Sequence, residues 1–231
     1  MGQEVTFKHG QIMPKEAMKR RGRPLGPPIV TGGELLPPVL AQMTRLGHTV
    51  FTRGDYNLNF FGIRSAFQRA DKFDDLLGCA YKKEGSWVVE FWPATTDPGG
   101  AYTSKPTERG VAVLAPGQYR GAYMIGPHGK TRYDALVQRG GEVGVYRDKN
   151  GNGEVEAFGP VQWGYFGINI HASSSRPYTE KTTRENVGVW SAGCQVHATT
   201  TGFQRQMTLA NKQLELTGHP RFSYTLLKQW W

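Results

Sequence analysis

Glycine is the feature that most constrains how this chain can fold. It supplies 30 of the 231 residues, nearly twice the usual share of roughly 7%, and 14 prolines accompany it. Because both residue types interrupt helices and mark turns, we expect many short elements and few long helices. This excludes a helical bundle, a coiled coil and a solenoid. The 6 tryptophans, 10 tyrosines and 11 phenylalanines supply large side chains for a core.

Short apolar segments separated by turn residues predict a mainly β fold. The predicted strands are 59–65, 76–81, 87–92, 111–115, 119–125, 143–146, 155–158, 165–171 and 223–228. Apolar spacing predicts one helix that follows Pro37-Pro38 and ends near Leu46, and a second helix over 200–216. These elements predict a β-sandwich or an open barrel with one or two short helices.

The N-terminal segment differs in composition from the rest of the chain. Of the formal charge of +9, about four units come from the first thirty residues, which hold six basic and two acidic side chains. We therefore expect a disordered, basic and flexible arm over 1–32 and one folded domain over 33–231. Arg21-Gly22-Arg23-Pro24 matches the core of an AT-hook, but Leu25 and the residues after it are not basic. A flexible tether is the prediction, and we do not expect DNA binding by the arm.

Hydrophobicity along the chain predicts neither a membrane span nor a leader. The apolar runs are shorter than the roughly 20 residues that cross a bilayer, and the first residues lack the hydrophobic region of a signal peptide. We expect no membrane insertion and no secretion by this route.

Cys194 is the candidate nucleophile. It follows Ser191-Ala192-Gly193, small residues that allow a sharp turn, and it precedes the predicted helix, whose N-terminus would favour a thiolate nearby. A free thiol has a pKa of about 8.5, so a base must assist it at neutral pH. His171, at the end of a predicted strand, is the candidate base. Cys79 lies within an apolar segment and is expected to be a buried core residue.

The order of these residues resembles a known family. Ile170-His171, nineteen further residues and then Ser191-Ala192-Gly193-Cys194 are similar to the L,D-transpeptidase catalytic domain, which carries His, a spacer and Ser/Thr-His-Gly-Cys on a β-sandwich. The resemblance is to phage-encoded members, covers about residues 55–228 and includes five further segments. These are Asn57-Leu58-Asn59, Gly62-Ile63-Arg64, Thr95-Thr96-Asp97 within 93–98, Gly117-Gln118-Tyr119 and 166–171.

The resemblance implies cysteine-dependent acyl transfer or hydrolysis on peptidoglycan stem peptides, with no cofactor and no metal. Cys194 would attack the carbonyl at the third residue of the stem, and His171 would take the thiol proton. Backbone N–H groups of Gly193 and Cys194 would stabilise the oxyanion, and Ser191 would shape the site. His128 and His197 are the candidates for orienting the base or binding substrate.

Two departures from the family pattern leave the substrate and leaving group open. Ala192 stands where the family carries His, and Gln195-Val196 replaces an apolar residue followed by Arg or Asn. The lack of a leader predicts a location in the host cytoplasm with release to the cell wall at lysis, or association with the virion. Stem peptides, and other phage or virion proteins, are the expected partners.

The sequence leaves three alternatives to a cysteine enzyme. His171, Cys194 and His197 are potential zinc ligands, since Cys194-x-x-His197 has a plausible local spacing. A virion structural or cell-wall-binding protein could keep the fold without turnover. The loop that starts at Asp148 resembles half of a calcium loop, but its twelfth position is Gly159 rather than Glu, which favours a hairpin turn.

Overall fold

A computed structural model describes residues 3–6, 29–31, 34–67 and 69–231 of the chain. Fourteen strands and three helices lie within these residues. The strands are β1 (Gln3–Thr6), β2 (Val30–Thr31), β3 (Glu34–Leu35), β4 (Asn59–Arg64), β5 (Asp75–Lys83), β6 (Ser86–Thr95), β7 (Val111–Leu114), β8 (Gly117–His128), β9 (Tyr133–Gln138), β10 (Val143–Asp148), β11 (Gln162–Gly164), β12 (Ile170–Ala172), β13 (Gln195–His197) and β14 (Arg221–Lys228). The helices are α1 (Pro38–Arg45), α2 (Gly100–Thr103) and α3 (Thr200–Thr217).

Eight strands close into a barrel in the order β6-β13-β12-β9-β8-β14-β4-β5. The ring closes because β5 pairs along its whole length with β6 and along its other edge with β4. β1 pairs with β6 beside β13, and β11, β10 and β7 form a separate three-stranded sheet. The prediction of a mainly β fold is confirmed. The barrel is closed rather than open, and the described residues contain three helices rather than one or two.

The strands predicted over 76–81 and 87–92 are present as β5 and β6, and Lys83-Glu84-Gly85 joins them in a hairpin. Glu84 and Gly85 have φ of 52° and 75°, a left-handed pair that suits the twist of the two strands in a tight hairpin. The Asp55 carboxylate accepts from both of their N–H groups, at 2.6 and 3.1 Å. Glu84 is thereby held in a conformation that glycine adopts more readily.

The two predicted helices are present and pack on different cores. α1 begins at Pro38, so a proline lies in its first turn as expected. Through Leu40 and Met43 the helix covers the outer side of β4, β5 and β6. α3 packs Phe203 and Met207 into the cluster that fills the barrel. Its N-cap is Thr199, whose Oγ1 accepts from Gly202.

One predicted strand is wrong and another is too long, because side chains bind the backbone there in place of a ladder. Segment 155–158 is a loop in which the Asp148 carboxylate accepts from Asn150 and Glu156, at 3.3 and 3.1 Å. Segment 165–171 is a strand only at its end, in β12. The strands that were not predicted are β1, β2, β3, β9, β11 and β13.

The predictions for the N-terminal arm lie outside the described residues, except at Gln3–Thr6 and 29–31. That applies to the basic arm itself and to Arg21-Gly22-Arg23-Pro24. Gln3–Thr6, inside the predicted arm, pairs antiparallel with β6. Among the described helices, none is both long and apolar enough to cross a bilayer.

A buried arginine joins the end of β4 to β6 and β7. Arg64 Nε donates to Thr96 Oγ1 at 2.9 Å, and its two terminal nitrogens donate to the carbonyls of Leu114 and Thr96 at 2.9 and 2.7 Å. Arg64 Nε also lies 2.9 Å from Asp97 Oδ1, and both side chains are at least nine-tenths buried. This cluster holds the three-stranded sheet against the barrel, because Leu114 belongs to β7.

We expect Arg64→Met to lower the free energy of unfolding by about 3 kcal/mol, because it leaves a buried carboxylate and two carbonyls without their donor. The matched control is Arg69→Met, which removes a guanidinium that is 72% exposed and 3.7 Å from Asp74. That change should cost about 0–1 kcal/mol. Urea unfolding of the two variants measures the difference, and equal losses would contradict the bracing role.

Candidate active site

The turn before Cys194 is built around the Ser191 side chain. Ser191 Oγ accepts from the Gly193 N–H at 3.2 Å and donates to the Cys194 carbonyl at 2.8 Å. Its own carbonyl accepts from Gly99 at 2.8 Å. Ser191 is fully buried, so it shapes the turn from inside. The Gly193 N–H, one of the predicted oxyanion donors, is engaged within the turn in this structure.

Position 193 requires glycine both for its backbone conformation and because neighbouring atoms leave no room for a side chain. Its φ is +123°, and a Cβ at this position would lie 2.4 Å from the Ala112 carbonyl oxygen on β7. A side chain would therefore push the three-stranded sheet away from the turn.

The Cys194 sulfur contacts backbone groups of the segment that precedes β12. It accepts from the Asn169 N–H and donates to the Gly167 carbonyl, each at 3.4 Å. Burial raises the pKa of Cys194 to about 11, and the Asn169 N–H offsets part of that effect. The expected help from the helix N-terminus does not reach the thiol, because β13 lies between Cys194 and Thr200.

His171 lies on β12, and Cys194 immediately precedes β13, the parallel neighbour of β12. Ile170 pairs with Gln195 and His171 with Val196, so Cys194 is level with Asn169, two residues before His171. Residues two apart on a strand share a face. A spacing of about 4.8 Å between strands and about 3.3 Å per residue places the two Cα atoms about 8 Å apart.

The His171 ring is fixed by a backbone carbonyl. Its Nδ1 lies 2.8 Å from the Ala172 oxygen, so Nδ1 carries the proton and Nε2 keeps a lone pair. Burial, and next the neighbouring His128, lower the pKa of His171 to about 3. At neutral pH the site therefore holds a neutral thiol and a neutral imidazole. Of the hydrogen bonds in the described part of the chain, none joins the sulfur to His171.

His128 is brought to the site and His197 is not. The His128 ring stacks on His171 with 4.0 Å between centroids. His197 pairs with Ala172 and so projects from the opposite face, where its Nε2 donates to Gln206 at 2.9 Å. Burial lowers the pKa of His197 to about 4. The zinc set is not assembled, and the described residues hold no group of three His, Cys, Asp or Glu side chains that could bind a metal.

Two amide side chains that sequence reasoning missed hold the segment before β12. Gln138 Nε2 donates to the carbonyls of Gly164 and Gly141 at 2.9 and 3.2 Å, and its Oε1 accepts from Phe166 and Ile168 at 3.1 and 3.0 Å. The second amide belongs to Asn169, which contacts both Gln138 and His128. Its place two residues before His171 is the one signal in the sequence that could have identified it.

A groove of about 1180 Å³ lies away from this site, near Gly117 and Trp230. Gly117 begins β8 and His128 ends it. Cys194, His171 and His128 are not among the described residues that line the groove. The groove is therefore not the place where Cys194 and His171 could meet a substrate.

Comparison of this chain with protein-family models, with curated proteins and with solved structures finds no match. A reaction can therefore be assigned to the site only from the geometry described above and from the resemblance in the sequence.

We expect Gly193→Ala to lower the free energy of unfolding by at least about 2 kcal/mol and to disorder the Cys194 turn, because it adds strain and a backbone clash. The control is Gly159→Ala, which has a φ of +92° but open space around the new methyl group. Urea unfolding compares the two. A Gly193→Ala variant no less stable than the control would contradict the close approach of Ala112.

The raised thiol pKa predicts the pH dependence of alkylation. The thiolate fraction of Cys194 should rise about tenfold per pH unit from pH 7 to 10, and the iodoacetamide rate should follow it, as peptide mapping by mass spectrometry would measure. The Cys194→Ser variant gives the background from Cys79. A rate that levels off below pH 8 would instead show a stabilised thiolate.

Proposed function

We propose that this chain is an L,D-transpeptidase-like cysteine enzyme that transfers or hydrolyses acyl groups of peptidoglycan stem peptides. The observation that carries the proposal is the parallel pairing of β12, which holds His171, with β13, which Cys194 immediately precedes. His171 Nδ1 is held by a carbonyl. The spacing from Ile170-His171 to Ser191-Ala192-Gly193-Cys194 supports the same family.

In the first half-reaction, Cys194 forms the bond to the acyl carbon. The thiol proton moves to His171 Nε2 as the sulfur–carbon bond forms, and the carbonyl electron pair moves onto oxygen. When that pair returns, the carbon–nitrogen bond breaks and the amine leaves with the proton from His171. A thioester on Cys194 and a free amine are the products.

In the second half-reaction, an amine or water attacks the thioester. His171 Nε2 accepts a proton from the nucleophile, the carbon–sulfur bond breaks, and the proton returns to the sulfur. An amine gives a new cross-link and water gives a carboxylic acid. The acceptor thus decides between transferase and hydrolase, and the exposed Ala192, where the family carries His, leaves room for a different acceptor.

The two pKa shifts oppose a preformed thiolate–imidazolium pair. With its pKa near 11, Cys194 is about one part in ten thousand thiolate at pH 7, so attack by a preformed thiolate contributes little. His171 is neutral, and the burial that lowers its pKa to about 3 also makes it a weak base. Removal of the thiol proton therefore accompanies attack on the carbonyl carbon, when the negative charge passes to the substrate oxygen.

The biological setting follows from the same proposal. A wall-active enzyme of this kind fits a phage product that is released from the host cytoplasm at lysis, or one that is carried in the virion beside other phage proteins. The non-catalytic alternative, a wall-binding or virion structural protein, predicts binding to peptidoglycan with no change in its fragments.

We expect Cys194→Ala and His171→Ala each to lower turnover of purified peptidoglycan fragments by at least about 1000-fold, and the double variant to lose little more, because the two residues share one step. Mass spectrometry of the fragments gives the rates. The control is His219→Ala, an exposed histidine outside the site.

Full turnover by Cys194→Ala would exclude this cysteine as the nucleophile. Independent, multiplicative losses would separate His171 from the step at sulfur. If a chelator abolished turnover and added zinc restored it, the zinc-site alternative would be favoured. If the wild type bound peptidoglycan without changing its fragments, the non-catalytic alternative would be favoured.

A further inference from the structure

A short chain of hydrogen bonds determines which nitrogen of His128 carries a proton. The Gln138 backbone N–H donates to Asn169 Oδ1 at 2.9 Å, and Asn169 Nδ2 lies 3.1 Å from His128 Nδ1. A backbone N–H can only donate, so the amide oxygen of Asn169 must face Gln138 and its NH₂ must face His128. His128 Nδ1 is consequently the acceptor, and the neutral ring carries its proton on Nε2.

The two stacked imidazoles therefore present opposite groups. His171 has its proton on Nδ1 and a lone pair on Nε2, whereas His128 has a lone pair engaged by Asn169 and an N–H at Nε2. Within the described part of the chain, none of the hydrogen bonds uses His128 Nε2. One ring can accept a proton and the other can donate a hydrogen bond, 4.0 Å apart.

We propose that His128 is a further catalytic residue, whose Nε2–H donates to the oxygen of the acyl group that Cys194 attacks. The proposal rests on Cys194 as the nucleophile of the proposed function. As the sulfur–carbon bond forms, the carbonyl electron pair moves to oxygen and the hydrogen bond from His128 shortens. No proton leaves His128, so the ring stays neutral throughout the step.

Two features of the site favour this role. The resemblance implied two oxyanion donors, the N–H groups of Gly193 and Cys194, and the first is engaged by Ser191 Oγ, so there is a place for a second donor. A neutral imidazole is a suitable donor, because burial lowers the pKa of His128 and the Asn169 NH₂ opposes protonation at Nδ1. The stack keeps that donor beside His171, which must reach the same reacting group.

The test compares two reagents that both modify the Cys194 sulfur. p-Nitrophenyl acetate acylates it through an oxyanion, whereas iodoacetamide alkylates it by displacement and forms none. We expect His128→Phe, which keeps an aromatic ring against His171 but has no N–H, to slow acylation about 100-fold. Alkylation should change less than about threefold. His128→Gln retains an N–H donor and should recover part of the acylation rate.

His219→Phe is the matched control and should leave both rates unchanged. Equal losses with the two reagents would show that His128 acts on the thiol rather than on the carbonyl oxygen. An unchanged acylation rate in His128→Phe would overturn the proposal, as would a wild-type Cys194 that alkylates but does not acylate. Acylation by the ester without turnover of peptidoglycan would refute the proposed substrate and leave the role of His128 in place.

The tautomer has an independent readout that needs no turnover. In wild-type protein labelled with ¹⁵N-histidine, long-range proton–nitrogen spectra at pH 7 should show His128 protonated at Nε2 alone. In Asn169→Asp, a carboxylate oxygen replaces the NH₂, and the proton should appear on Nδ1. A wild-type His128 with its proton on Nδ1, or on both nitrogens, would overturn the assignment.

Discussion

The parallel pairing of β12 with β13 is the contact on which the site depends. It contains only three residue pairs, and a slip of one residue would turn Cys194 away from the face that carries His171. The register is fixed from outside the pair. Gln195 donates its N–H to the Asn169 carbonyl at 2.9 Å, and its side chain bonds to Gly193 and Tyr224. Because the two strands share so few residue pairs, their register is set by the contacts of Gln195 with the turn before β13 and with Tyr224 of the barrel.

The buried amide side chain of Gln138 holds the segment that leads into β12. Gln138 uses both N–H groups and both lone pairs of its side chain on backbone atoms of 141–168. Each such bond is worth about 1 kcal/mol net, and losing one leaves a buried group unsatisfied at about 1–3 kcal/mol. In the proposed mechanism the thiol has no charged partner, so this fixed position has to replace electrostatic activation of the sulfur.

Local patterns predicted much of the fold, and long-range contacts account for the misses. The hairpin at Glu84-Gly85 and the helix from Thr200 follow from turn residues and apolar spacing, and the segment that begins with Cys194 does lie beside the strand of His171. The failures at 155–158 and 165–171 arise where Asp148 and Gln138 bind the backbone. The contact from Gln138 to Asn169 spans 31 residues, so only the register of the sheet reveals it.

The most direct test of the account is the mass of the intact protein during reaction with a slow stem-peptide analogue. A covalent intermediate on sulfur predicts an added mass equal to the acyl part of the analogue, without its leaving amine. Peptide mapping should place that mass on the fragment that contains Cys194, and hydroxylamine should remove it as expected for a thioester. Consumption of the analogue with no adduct on Cys194, or with the adduct on another residue, would contradict the account.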